Sequence, residues 1–416
     1  MTDTSATSDG GVRSSMAKSE GIRSALERLA VADPPIQPPA TIAILGGGQL
    51  GRMLALAARP LGYRIGVLDP DPACPARSVA DRFVEAGYDD VDAALRLADG
   101  AHVVTYELEH LSVAVAARLE WEWPVRPTPF ALSVTQDRIE ERRAVEGEGL
   151  EVAAWRAIAD EAELWAAIED LGLPVRLKAA RGGYDGRSQV RIASTDDAIA
   201  ALSRLGRPAG EAALVERELA FEAELSVVCA RDPAGRARAF PVARNRHDAG
   251  ILVESVVPAG VSQDIENEAG RIVRTLAEAL DVVGTLTAEL FLMPDGSLVV
   301  NELAPRVHNS GHWSIEAAAT SQFEQHIRAI TGLPLGSTEL RSPAATVNLL
   351  GTGTERLARA IGLERALAQP DVHVHLYDKR RVFERRKMGH VTALGATADE
   401  ALNRASAAAR EIGWAD

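Results

Sequence analysis

The sequence predicts a mixed α/β and α+β protein with three ordered units, and three observations carry that prediction. Apolar runs alternate with helical patterns through residues 42–106, the signature of a βα-type parallel sheet. Two apolar strands flank Pro294-Asp295-Gly296, a turn sequence that makes them a hairpin. Short apolar runs at 343–351 and 372–377 suggest a small C-terminal unit with its own strands. Hydrophobic residues make up 46% and charged residues 25% of the 416, an ordinary globular balance. At roughly 100–200 residues per domain, a chain of this length accommodates two to four domains.

Residues 1–40 are rich in Ser, Thr, Ala, Gly and Asp and end in Pro34, Pro35, Pro38 and Pro39. They predict a mostly disordered arm with a short helix near 24–31. Ordered structure is expected from Thr41. The run 42–45 reads as a buried strand, followed by GGGQLGRM (from Gly46) and a helix to about Pro60. Residues 63–69 give a second strand, 90–98 a helix and 102–106 a third strand. This βαβαβ order implies a parallel sheet covered on both faces. The proline-rich stretch 124–129 marks the exit, which places the first unit at 41–132.

A second unit, 133–335, opens with a charged helix at 135–148. Another helix at 162–171 is ended by Gly172 and Pro174. A strand at 175–178 leads into RGGYDGRS (from Arg181), and a strand follows at 189–192. Strands are also expected at 213–216 and 224–230, with the hairpin at 284–293 and 297–302. Residues 336–416 form the small C-terminal domain.

Five segments carry chemistry. Gly46, Gly48 and Gly51 give G-x-G-x-x-G between a strand and a helix, with Asp69 ending the next strand. That fits a dinucleotide. It fits equally a tight turn whose amides face another anion or nothing, and Gln49 and Arg52 suit a mononucleotide phosphate at a helix start. Lys178 precedes the glycine-rich loop, where Gly182, Gly183 and Gly186 free the backbone to approach a polyphosphate and Arg187 adds charge. Glu289 and Glu302 face each other if Met293 pairs with Leu298. Like charges so opposed are unfavourable without a cation between them, and two hard oxygen ligands beside phosphates suit Mg²⁺. NELAPRVHNSGHW (from Asn301) packs Arg306, His308, Asn309, Ser310 and His312 into one run. Arg306 can stabilise an anion; His308 or His312 can act as a base or fix a loop. YDKRRVFERRKMGH (from Tyr377) is a basic cluster that fits a phosphate monoester, and equally a solvated hairpin.

The formal charge of −14 argues against a broad nucleic-acid surface, so an anionic substrate needs a local basic cluster. Two cysteines, Cys74 and Cys229, suit a reducing compartment. With no apolar run of about 18 residues and no apolar signal core, no membrane association is expected and a cytoplasmic location is.

Together, GGGQLGRM, TYELEH (from Thr105), QDR (from Gln136), GGYDGR (from Gly182), NELAPRVHNSGHW and RKMGH (from Arg386) resemble the ATP-grasp superfamily, and within it the N5-carboxyaminoimidazole ribonucleotide synthetases. The resemblance covers about 41–391. It implies a Rossmann-like pre-ATP-grasp domain, an ATP-grasp domain with a lid near 150–215, and a C-terminal domain. The implied reaction uses ATP, Mg²⁺ and bicarbonate to carboxylate 5-aminoimidazole ribonucleotide through carboxyphosphate. A homodimer is implied, as is a mutase that takes the product.

Carried over by position, Arg138 and Lys178 would contact ATP phosphates under a flap of Gly183, Tyr184, Asp185, Gly186, Arg187, Ser188 and Gln189. Glu216, Arg217, Glu218 and Leu219 would form the adenine hinge, and Glu224 would hold the ribose. His247 and Asn301 would approach ATP, and Glu289 and Glu302 would bind Mg²⁺. Arg306, His308 and Asn309 would be catalytic, holding bicarbonate and carboxyphosphate. Gln49, Tyr184, Arg187, Lys379 and Arg386 would hold the ribonucleotide. The chain departs from the family pattern at Arg244, where an acidic residue is common, at Ser188, where glycine is common, and in RRVFER (from Arg380), which replaces a turn with proline and glycine. That last departure leaves Arg385 and Arg386 as alternative phosphate contacts.

Overall fold

The computed structural model describes residues 34–182, 188–205 and 211–415. The short helix expected near 24–31, and the flap residues Gly183, Tyr184, Asp185, Gly186 and Arg187, lie outside these.

The first sheet is parallel throughout, in the order β3-β2-β1-β4, from β1 (Thr41–Leu45), β2 (Arg64–Asp69), β3 (Arg82–Glu85) and β4 (Val103–Tyr106). β1 and β4 are almost wholly buried, as both faces of a doubly covered sheet must be. Helices Gln49–Ala58 and Val91–Ala98 follow β1 and β3, and Asp90 caps the second through the Ala93 N–H. β3 has no apolar run because it is a half-exposed edge strand, which hid it from the sequence. Residues 34–40, expected within a disordered arm, pack instead: the Ile36 N–H donates to Thr331 O and the Tyr63 hydroxyl to Ile36 O.

A four-stranded sheet in the order β5-β8-β6-β7 spans Trp155 to Arg217: β5 (Trp155–Ile158), β6 (Val175–Ala179), β7 (Gln189–Ile192) and β8 (Ala213–Arg217). It buries one face under helices Glu161–Leu171 and Thr195–Leu205, with a separate small core.

The central sheet runs β14-β13-β9-β11-β12-β15-β20-β18, with β10 (Ala237–Ala239) beside β9. Its strands are β9 (Ala223–Arg231), β11 (Ala243–Asp248), β12 (Ile251–Val257), β13 (Gly284–Leu292), β14 (Leu298–Ala304), β15 (Ala344–Leu350), β18 (Val372–Leu376) and β20 (Lys387–Leu394). The C-terminal strands therefore extend the central sheet through the β12–β15 pairing rather than building a separate one. Small pairs join β16 (Arg356–Leu357) to β19 (Arg381–Val382) and β17 (Ala360–Ile361) to β21 (Gly413–Trp414).

The hairpin differs from its predicted register in one instructive way. The Met293 N–H donates to Ser297 O, and the ladder starts at Leu292 opposite Leu298, so the loop is longer than expected. A bulge at Asn301 then shifts the register by one residue, and Glu289 still meets Glu302. The bulge cancels the error in the loop length.

Buried His326 ties the first sheet to the central one. Its Nε2 meets Thr105 Oγ1 at 2.8 Å and its Nδ1 meets Thr285 Oγ1 at 3.0 Å.

Candidate active site

One cavity of about 1240 Å³ opens where the three sheets converge. That exceeds the roughly 300–1,000 Å³ usual for a single small ligand, so it has room for two. Every residue predicted for the site that lies within the described segments lines this cavity.

The glycine loop forms its floor, at the C-terminal ends of β1 and β4, where the strand order reverses. The chain's own carboxylates already fill the loop. Gly48 and Gly51 N–H groups donate to Glu107 at 2.8 and 3.0 Å, and the Gly47 N–H donates to Asp69 at 2.7 Å. A Cβ on Gly48 would sit 2.5 Å from Glu107 Oε1, so glycine is needed for this internal contact. Burial pushes the Glu107 carboxyl up to about 7 against the pull of both amides. The dinucleotide alternative fails here, because a pyrophosphate would have to displace two buried carboxylates. Mg-ATP is therefore expected to raise the melting temperature while NAD leaves it unchanged; a shift with NAD would contradict the filled loop. Arg52 is likewise engaged, donating to Pro75 O and Ser78 Oγ.

At the end bounded by β6 and β8, Lys178 Nζ lies 2.5 Å from Glu216, which also accepts from Arg142 Nε at 2.6 Å. Burial pulls the Glu216 carboxyl upward, but the two cations outweigh it and hold it at about 2. Its side chain is thus an internal anchor for Lys178. Arg138 lies one turn before Arg142 and donates Nη1 to Ala179 O at 2.8 Å. The side chains of Arg217 and Glu218 turn toward the four-stranded sheet and its helices: Arg217 Nε donates to Leu171 O, and Glu218 takes Arg176 and Arg191. Phe221 and Phe291 stack at 4.4 Å and 8° beside Leu219, giving this end an apolar wall. Glu224 pairs with His247 Nδ1 at 2.7 Å; burial opposes protonation of that imidazole, but Glu224 and Glu289 overcome it and raise its pKa.

Glu289 and Glu302 face each other across β13 and β14. Burial pushes Glu289 up to about 7, and repulsion from Glu302 adds to the rise, even with His247 opposing. A cation would relieve that repulsion. Among the described residues no group of three or more His, Cys, Asp or Glu side chains is arranged to hold a metal ion, so the facing pair offers two carboxylates. That donor set fits Mg²⁺, which takes one or two carboxylates and completes its shell with phosphate oxygens and water.

Beyond the glutamates, Arg306 Nη2 lies 2.6 Å from Glu109. His308 is neutral: burial lowers its pKa well below the ordinary value, and the Arg306 charge lowers it further. Its Nε2 lies 3.5 Å from Glu289. Asn309 Oδ1 and Nδ2 and Arg306 Nε are buried without a hydrogen-bond partner. His312 is different. Its ring packs at a tilt against Phe323 and His390, burial holds it at about 3, and its Nδ1 meets Gln322 Nε2 at 3.3 Å, which braces the loop.

The basic cluster forms the last wall. Lys379 Nζ donates to Lys387 O at 2.8 Å. Arg385 takes the left-handed backbone conformation (φ 64°) in the turn where glycine is usual, and its guanidinium is held by Asp248. Arg386 donates to Arg381 O and lies over Phe383, and among the described residues it forms no ion pair with a carboxylate. Gln49 lines the same cavity.

Sequence reasoning missed Glu107, Glu109, Glu141, Arg142 and the Phe221–Phe291 stack. Glu107 and Glu109 stand in TYELEH, quoted above without a role for either. Glu141 and Arg142 fall in the segment 135–148, read above only as a charged helix.

Comparison with known proteins places these segments. The ribonucleotide synthetase preATP-grasp domain matches residues 39–136, the ATP-grasp domain 143–323, and the phosphoribosylaminoimidazole carboxylase C-terminal domain 344–404. The N5-carboxyaminoimidazole ribonucleotide synthase of Brucella melitensis is 44% identical over 86% of this chain and 97% of its own. That of Bacillus subtilis is 39% identical over 88% and 94%. A crystal structure of an N5-carboxyaminoimidazole ribonucleotide synthetase with ADP superposes with TM-score 0.84 at 41% identity, covering 91% of this chain and 98% of that one. The Aspergillus clavatus synthase with ADP and 5-aminoimidazole ribonucleotide gives TM-score 0.81 at 31% identity, covering 89% and 98%.

Proposed function

This chain belongs to the N5-carboxyaminoimidazole ribonucleotide synthase family, and from that premise we propose how its own residues carry the family's reaction. The enzyme is an ATP-dependent ligase of purine biosynthesis. It carboxylates 5-aminoimidazole ribonucleotide with bicarbonate and releases ADP and phosphate.

Bicarbonate is a poor electrophile because negative charge shields its carbon. Phosphorylation gives carboxyphosphate, which can deliver CO₂ to the substrate amine if water is kept out. In our reading Lys178 and Arg138 hold the ATP phosphates, and Gly183, Tyr184, Asp185, Gly186, Arg187, Ser188 and Gln189 cover them. The segment Glu216 to Leu219 receives the adenine, and Glu224, His247 and Asn301 complete the nucleotide site. Glu289 and Glu302 would hold Mg²⁺, which would supply charge neutralisation for the phosphates. Gln49, Tyr184, Arg187, Lys379 and Arg386 receive the ribonucleotide.

The observation that carries the choice of acceptor is a partnerless amide on Asn309 and a partnerless Nε on Arg306, both on residues that line the cavity. Bicarbonate offers an O–H for Asn309 Oδ1 and anionic oxygens for Asn309 Nδ2 and Arg306 Nε. Formate, the acid activated by a related class of ATP-grasp enzyme, has no O–H to give. Neutral His308 beside them can exchange a hydrogen bond without adding charge. The test is ADP release with Mg-ATP and labelled bicarbonate, with and without the ribonucleotide. Label in an acid-labile product, dependent on the ribonucleotide, is expected. Turnover with formate in place of bicarbonate would overturn the reading.

Lys379→Ala is expected to raise KM for the ribonucleotide about tenfold with little change in ATP affinity. An unchanged KM would remove the basic cluster from the substrate site. A homodimer, a cytoplasmic location and a mutase that consumes the labile carbamate belong to the same proposal. Among the described residues, no helix is long and apolar enough to cross a membrane.

A further inference from the structure

We infer that Glu141 and Arg142 are positioning residues, which together hold the bulge that sets Glu302 opposite Glu289. The inference rests on the metal assignment above.

The argument begins with register. The ladder pairs Leu292 with Leu298, Phe291 with Val299 and Leu290 with Val300. Continued regularly, it would set Asn301 against Glu289 and turn Glu302 to the other face, because strand side chains alternate. A bulge at Asn301 prevents this, so something must hold the extra residue.

β14 is the edge of the central sheet. Its outer side is paired by backbone at Val300, whose N–H donates to Glu151 O at 2.8 Å. Beyond that point side chains take over. Asn301 O accepts from Arg142 Nη2 at 2.7 Å, and the Leu303 N–H donates to Glu141 Oε2 at 2.8 Å. The backbone on both sides of Glu302 is therefore gripped by two adjacent residues of the helix Arg138–Gly147. The grip is itself braced. Arg142 Nη1 donates to Glu141 at 2.7 Å and Nε donates to Glu216 at 2.6 Å, and Glu216 holds Lys178. One guanidinium thus ties the phosphate lysine to the strand that carries Glu302.

Arg142 and Glu141 are each 2% exposed. A buried ion network is weak evidence for stability, since a well-packed apolar pair of similar volume often serves as well. Its donors do what an apolar pair cannot: three nitrogens of a planar fork reach a helix, β8 and β14 in fixed directions. A lysine has one nitrogen and cannot span all three.

The test uses the full-length protein with ADP present and measures Mn²⁺ affinity by electron paramagnetic resonance, with near- and far-ultraviolet circular dichroism as the fold check. Arg142→Lys is expected to weaken Mn²⁺ binding about tenfold or more, the range typical when a group supporting a metal ligand is lost. KM for the ribonucleotide should be unchanged. Glu141→Gln keeps the size but can satisfy only one of its two partners; a loss of about threefold is expected, and this variant decides the matter if Arg142→Lys does not fold. Glu302→Ala is the control. If it abolishes Mn²⁺ binding while folded Arg142→Lys and Glu141→Gln bind as the wild type does, the positioning role is wrong. If Glu302→Ala also binds as the wild type does, the metal assignment itself fails.

Discussion

Glu302→Ala is expected to abolish turnover, by a factor of about 10³ or more, while leaving the fold intact. The two halves of this expectation have separate physical causes. Glu302 is exposed to the cavity and opposes Glu289, so its removal takes away a repulsion and little packing. The melting temperature should stay level or rise slightly. The Glu289 carboxyl, held at about 7 partly by Glu302, should move back toward the ordinary carboxylate range. Loss of turnover follows because Glu289 alone cannot fix a divalent cation against the phosphates. Steady-state ADP release and a thermal melt check both halves; a variant with wild-type rate would remove Glu302 from the metal site.

The second large effect is expected from Arg306→Lys. The substitution keeps a positive charge near Glu109 but removes the partnerless Nε and the planar fork. A donor aimed at charge that develops during reaction contributes about 10²–10³ in kcat, and a loss of that size is expected. KM for ATP should change little, because the proposal assigns the nucleotide to Lys178 and Arg138. A sharper readout is coupling. If Arg306 holds carboxyphosphate, the variant should release ADP in excess of carboxylated product. A tightly coupled enzyme with a normal rate would place bicarbonate elsewhere.

Much of the site was legible in the sequence because its motifs are local. GGGQLGRM marks a strand-to-helix turn, and RGGYDGRS marks a loop between two strands. Pro294-Asp295-Gly296 marks a hairpin whose strands carry one glutamate each. Periodicity and turn chemistry act over a few residues, so they fix element type and approximate bounds: helix Glu161–Leu171 and strand Gln189–Ile192 fall within a residue of expectation. Strands without a distinctive pattern escaped, as the half-exposed β3 shows. The glycine fingerprint shows the opposite limit. Its form suggested a dinucleotide, yet the anions on its amides are Asp69 and Glu107, brought in from later strands.

What the sequence determined by itself is the set of candidate groups and the local elements that present them, because backbone preference and side-chain alternation are short-range. Only the tertiary structure decided which charges are buried and what they reach. Arg142 meets Glu216 across 74 positions and Asn301 across 159, and nothing in RIEERRAVEG distinguishes it from its solvated neighbours. The bulge that aligns Glu302 with Glu289 belongs to the same class. It is invisible to any count along the strand, because an extra residue persists only where partners from distant elements satisfy its backbone.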